Sequence, residues 1–226
     1  MGYLAALAAA VVFTASDFPV TARVVSGAHP QVELTNTGGR AVTAWTFAVV
    51  SPTATGTHRE THSADVYLSE VTHGLPNSNQ HLDWLRPGQS RALPIDAAPA
   101  GATVELVAVV LDDGSAYGDP EAVNAVFAHR AAERDELKQV VGTFNGVLQE
   151  RHGMAALDEL KQRFAASAGD ESVPHRSARE AIDMWLRKAN TATRDEDLER
   201  AVRTYVAFVQ RQYDAAVKHA GRKSGG

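Results

Sequence analysis

The sequence predicts an α+β chain, with an N-terminal antiparallel β-sandwich followed by a C-terminal bundle of about four helices. Three observations predict it. Short segments of alternating apolar and polar residues, separated by Gly, Pro and Asn turns, fill residues 18–111. The strongest of these is Val104-Glu105-Leu106-Val107-Ala108-Val109-Val110-Leu111. Beyond Pro120 the period changes, and apolar residues recur every three to four positions nearly to the end.

The elements follow in order. Residues 4–15 are almost wholly apolar and too short to span a bilayer, which takes about 20 residues. They fit the core of a secretory signal over residues 1–16, with mature chain from near Ser16; a buried first strand or helix is the alternative. Val20, Ala22 and Val24 alternate with Thr21 and Arg23, and Val32 and Leu34 alternate with Gln31, Glu33 and Thr35. Asn36-Thr37-Gly38-Gly39 then predicts a turn, and a hairpin into a strand with Trp45, Phe47 and Val49 on one face and Ala44, Ala48 and Val50 on the other. Residues 51–83, rich in Ser, Thr, His, Pro and Asn, are expected to be irregular apart from a short strand around Val66-Tyr67-Leu68. After Leu85-Arg86-Pro87-Gly88-Gln89, the strand of Arg91 to Ile95 carries Pro94, which places it at an edge.

The stretches Val32-Glu33-Leu34-Thr35-Asn36-Thr37-Gly38, Val42 to Val49, and Leu85-Arg86-Pro87-Gly88-Gln89-Ser90 resemble bacterial extracytoplasmic immunoglobulin-like modules of the cell-adhesion-related and FxLYD-like types. The resemblance covers residues 18–111 and implies an Ig-like sandwich that binds or spaces, with no catalytic residues to carry over. The long 51–83 segment and the helical half depart from that pattern.

Asp119, Pro120 and Glu121 suit a helix start: a capping oxygen, a fixed φ and a charge that complements the dipole. A first helix is expected to about Arg151 and a second over residues 154–168. A third follows Pro174, with Ser177 and Glu180 as a capping box. A fourth follows Thr193 and Glu196, striped by Leu198, Val202, Tyr205, Val206, Val209 and Tyr213. Gly142 and Gly146, one turn apart, would allow a close helix crossing. The expected divisions are a sandwich over 17–118, a helical domain over 119–220 and a flexible tail over 221–226.

Composition narrows function. Apolar residues make up 44% and charged residues 22%, as in ordinary globular chains, and the net charge is −5. Residues 1–119 hold five Arg and no Lys against eleven Asp and Glu, a net of −6; the remainder holds seventeen against sixteen, a net of +1. Neither half offers the basic face that nucleic acid needs. The chain has no cysteine, which excludes thiol catalysis, disulfides and thiolate zinc sites. Phosphate-cradling, nucleophile-elbow and dinucleotide motifs are absent from the sequence.

Two clusters are candidate metal sites. Asp112, Asp113 and Asp119 offer oxygens suited to calcium, against turn and capping roles for the same residues. His58, His62, His73 and His81, with Asp65, would make a zinc or copper site if they converged; polar loops also collect histidines without binding metal. The expectation is a non-enzymatic secreted or periplasmic protein of binding or assembly, with no cofactor, a protein partner in the cell envelope or self-association, and no transmembrane segment. The alternative is a metal-binding protein or metal-dependent hydrolase built on the 51–83 histidines. On the last strand the face of Val107, Val109 and Leu111 turns apolar toward the C-terminal end. With Ala44, Ala48 and Val50 it should form a patch covered by the helix that begins at Pro120.

Overall fold

The computed structural model describes residues 18–68, 83–166, 172–189 and 193–222. Two antiparallel sheets are followed by four helices. The first sheet has the order β1 (Val20–Val25), β2 (Gln31–Asn36), β5 (Ser90–Pro94). The second has the order β4 (Gly56–Asp65), β3 (Val42–Thr53), β6 (Thr103–Leu111), β7 (Ala116–Gly118). The helices are α1 (Pro120–Glu150), α2 (Gly153–Ala166), α3 (Val173–Lys188) and α4 (Asp195–His219). No helix among the described residues is long and apolar enough to cross a membrane. The expected signal core, and tail residues 223–226, lie outside the described residues.

Contacts divide the described residues into two compact units, one of residues 18–68, 83–127 and 222, the other of the described residues from 128 to 221. In the first unit both sheets feed one core. Val20, Val32 and Leu34 from one sheet cluster with Trp45, Phe47, Val49, Val109 and Leu111 from the other, all nearly inaccessible. The period-2 alternation produces this, because every second side chain points to the same face.

The Asn36-Gly39 turn does not close a hairpin. β2 pairs only with β1 and β5, and β3 only with β4 and β6, so the turn carries the chain from one sheet to the other. Neither Gly38 nor Gly39 takes a positive φ. The crossing is held by Asn36, which is fully buried: its Nδ2 donates to Arg40 O at 2.7 Å and Leu85 O at 2.8 Å, and its Oδ1 accepts from Gly38 N at 2.9 Å. The hairpin partner of β3 is β4, which runs through residues expected to be irregular, and Ala54-Thr55 make the turn. Pro94 ends an edge strand, as its missing N–H requires.

A bulge changes the faces of β6. Thr46 pairs with Ala108 but Phe47 with Leu106, so Val107 is an extra residue opposite the step between them. Val104 and Leu106 face the shared core before the bulge, and Val109 and Leu111 face it afterwards. Ala108 and Val110 turn to the other side, where with Ala44 they are covered by Val123 and Phe127 of α1. The expected covering helix is present, but it lies on the face opposite Val109 and Leu111. The uncounted residue at Val107 inverts the alternation.

The second unit takes its core from all four helices: Leu137, Val140 and Phe144 of α1, Leu157, Leu160 and Phe164 of α2, Ala178 and Ile182 of α3, and Val202 and Val209 of α4. Phe144 contacts the rings of Phe164 and Tyr205 at 5.3 and 5.4 Å, and Trp185 meets Tyr205 edge-on at 5.6 Å. Two helix starts differ from expectation. α3 begins at Val173 with Ser172 at the cap position, so Ser177 lies inside the helix; α4 begins at Asp195 with Arg194 at its cap. A Cβ on Gly142 or Gly146 would meet nothing within 4 Å, so no close helix crossing uses them among the described residues.

Candidate functional site

β4 places His58 and His62 on the same face, four residues apart. At about 3.3 Å per residue, roughly 13 Å of strand separates them, too far to share one ion. Asp65 has the opposite parity and faces away. The His62 ring stacks on Phe47 at 5.1 Å with 17° between planes, and its Nε2 lies 3.3 Å from Glu60 Oε1. His73 and His81 lie outside the described residues. Among the described residues no group of three or more His, Asp or Glu is placed to hold a metal ion.

The acidic turn after β6 is drawn apart rather than together. Asp119 Oδ1 accepts from Ala122 N at 2.9 Å, capping α1. Asp113 Oδ1 accepts from Ser115 N at 3.1 Å and from the Ser115 hydroxyl, an Asx-turn arrangement. Asp112 and Asp113 also flank Arg40, at 3.3 Å from its Nη1 and 3.1 Å from its Nε respectively.

This Arg40 contact lies in a cleft of the two-sheet unit, of about 540 Å³, lined by Gly39, Arg40, Ala41, Trp84, Arg86, Pro87 and Asp112. Three connections build it: the sheet crossing after Asn36, the Pro87-Gly88 turn and the turn after β6. Asn36 ties the first two, because its backbone N–H donates to Gln89 O and its C=O accepts from Gly88 N, both at 2.9 Å. Gly88 has φ +75, a conformation that favours glycine after Pro87. Trp84 is buried and donates Nε1–H to Val66 O at 3.1 Å, so it forms a fixed wall. Arg86 is exposed and no ion pair among the described residues engages it. The cleft presents two guanidiniums, one held by carboxylates and one open to solvent, beside apolar surface. Such a site can recognise a carboxylate or a carbonyl-rich segment by paired hydrogen bonds.

One cluster in the helical unit has residue types familiar from hydrolases. Ser172 Oγ lies 3.0 Å from His175 Nδ1, and Glu136 Oε2 lies 2.7 Å from the same nitrogen; Ser172 Oγ donates to Glu136 Oε2 at 3.2 Å. In a nucleophilic triad the serine and the carboxylate occupy opposite ring nitrogens. Here both converge on Nδ1, an arrangement that fixes the buried imidazole, which also meets the Phe164 ring edge-on at 5.7 Å. Sequence reasoning passed over this cluster: Glu136 lies on another helix, and only the Ser172-x-x-His175 spacing at a helix start hints at it.

Comparisons with protein-family models, with curated proteins and with solved structures find no match.

Proposed function

We propose that the chain is a non-enzymatic, extracytoplasmic protein of binding or assembly, whose two-sheet unit is an Ig-like sandwich that engages a protein partner through the Arg40–Arg86 cleft. The observation that carries this reading is the position of the cleft. It is built by the Asn36 crossing and the Pro87-Gly88 turn, the two stretches on which the resemblance to extracytoplasmic binding modules rests. Support also comes from the core shared by both sheets, as a sandwich requires. The chemistry of the cleft favours binding: Arg86 is exposed, Trp84 is rigid, and the acids nearby are held by Arg40. The apolar run of residues 4–15 is the argument for export.

The test uses a photo-crosslinking residue in place of Arg86, in the full chain expressed in its native host. A discrete crosslinked protein is expected from position 86 and not from exposed Glu105 on a sheet face. Mature protein should begin near Ser16. Crosslinking no stronger from 86 than from 105 would remove the cleft, and retained Met1 or Gly2 in cytosolic protein would remove the compartment.

A further inference from the structure

We infer that the outer edge of β4 is a self-association surface, pairing antiparallel with β4 of a second copy so that the two four-stranded sheets become one. The inference does not rest on the Arg40–Arg86 cleft.

β4 is the longest edge strand among the described residues. Its competitors are shorter or blunted: β7 spans only Ala116–Gly118, and β5 ends in Pro94. Two of the usual edge protections are missing from β4, a proline and a bulge. Its register with β3 runs without a shift from Asp65 to Gly56.

The register also shows which backbone groups point outward. In an antiparallel pair, residues opposite each other alternate between exchanging both backbone hydrogen bonds and exchanging none. Pro52 has no N–H, so the Pro52–Thr57 pair is of the second kind. The unbroken alternation then makes Val50–Arg59, Ala48–Thr61 and Thr46–Ser63 the same kind. The N–H and C=O groups of Thr57, Arg59, Thr61 and Ser63 therefore turn away from β3, toward the free edge. All four residues are exposed, and no strand among the described residues pairs with that edge.

Charge selects the register. A two-fold axis perpendicular to the sheet keeps both core faces on the same side and requires residues of equal parity opposite each other. With Thr61 opposite Thr61, residues 57–65 pair throughout: Arg59 faces Ser63, Glu60 faces His62 and His58 faces Ala64. No like charges meet, and a carboxylate faces an imidazole on both sides of the axis. A slip one way sets Glu60 opposite Glu60, and a further slip sets Arg59 opposite Arg59. A slip the other way sets His62 opposite His62 and leaves fewer residues paired. Like charges directly opposite are destabilising, so the Thr61-centred register is favoured.

The cysteine-free chain makes the test clean. A hydrogen-bonded antiparallel pair holds its Cα atoms about 5.5 Å apart, within disulfide range. Full-length protein should elute as a dimer by light scattering, and Thr61→Cys should oxidise to a covalent dimer with an unchanged far-UV spectrum. Arg59→Cys and Ser63→Cys should each crosslink poorly alone and readily when mixed. Thr61→Pro, which removes an outward N–H, should be a folded monomer. A monomeric parent, a dimer that Thr61→Cys fails to trap, or a folded Thr61→Pro protein that remains dimeric would each overturn the inference. If Thr61→Pro does not fold, the cysteine pattern alone decides. Arg86→Glu should leave the dimer intact, which separates this surface from the cleft.

Discussion

Asn36 makes three side-chain hydrogen bonds in a fully buried position, at the end of β2 where the chain leaves the ladder. Asn36→Ala removes the two donors that meet Arg40 O and Leu85 O. Leu85 O keeps its bond from Val42 N, and Gly38 N its bond to Pro19 O. At roughly 1 kcal/mol for each net bond lost, the loss should therefore be about 2–3 kcal/mol in urea unfolding. Asn36→Asp should be at least as damaging, because it keeps the acceptor but buries a charge. A change below about 0.5 kcal/mol would mean that the crossing is held by its backbone bonds alone. Tyr205 is a second informative residue. Burial first, and Glu180 second, push its hydroxyl up to about 12 from the usual 10.0. The unfolded chain therefore loses this proton at lower pH than the folded one, so the stabilisation is complete below pH 10 and disappears as pH rises to about 12. Absorbance titration of the phenolates should show a late component that Tyr205→Phe removes. The substitution should also flatten the alkaline fall in melting temperature, and an unchanged titration curve would contradict the assignment.

At the scale of elements, the joint between β6, β7 and α1 depends on one glycine. Gly118 has φ +106, and a Cβ there would lie 2.1 Å from Val107 O, the carbonyl that accepts from Asp119 N at 2.8 Å. Backbone on both sides cannot give way, so Gly118→Ala should cost about 3 kcal/mol. Gly153 provides the contrast, since its Cβ would meet the Asp195 carboxylate, a side chain that can rotate. Gly153→Ala should cost less, about 1 kcal/mol, and equal losses at the two sites would refute the argument. These joints also mark where the sequence was legible. The four helices and strands β1, β2, β3, β5 and β6 were readable, because each carries apolar residues at the period of its own backbone. β4 was not, because its core-facing residues are His58, Glu60, His62 and Ala64, and only Ala64 and the stacking of His62 on Phe47 give that face apolar contact. The Asn36 turn looked like a hairpin because turn chemistry fixes a local bend, not which strand lies beyond it. The cleft was less legible still: the motifs at residues 36 and 87 were visible, but their meeting through one buried amide was not.

At the scale of the whole chain, α1 is continuous from Pro120 to Glu150, yet its residues serve two cores. Val123 and Phe127 close over Ala44, Ala108 and Val110, while Leu137, Val140 and Phe144 belong to the helical unit. The compact units accordingly divide after Phe127, inside the helix, and not at the turn before Pro120. An isolated helix of two turns is unstable in water, because nucleation costs more than its few hydrogen bonds return. Cut off from the rest of α1, the stretch of residues 120–127 must therefore take its stability from the sheet face it covers. Burying a Val or a Phe contributes at most about 1.5–3 kcal/mol each. A fragment of residues 18–118 leaves Ala44, Ala108 and Val110 bare, whereas one of residues 18–131 keeps them covered. Trp45 and Trp84 are the only tryptophans in either fragment, so fluorescence reports the two-sheet unit directly. The longer fragment should unfold at clearly higher urea, and Phe127→Ala within it should recover much of the difference, by about 2–3 kcal/mol. Equal midpoints for the two fragments would mean that the first turns of α1 ride on the sheet without stabilising it, and the boundary would return to the turn before Pro120.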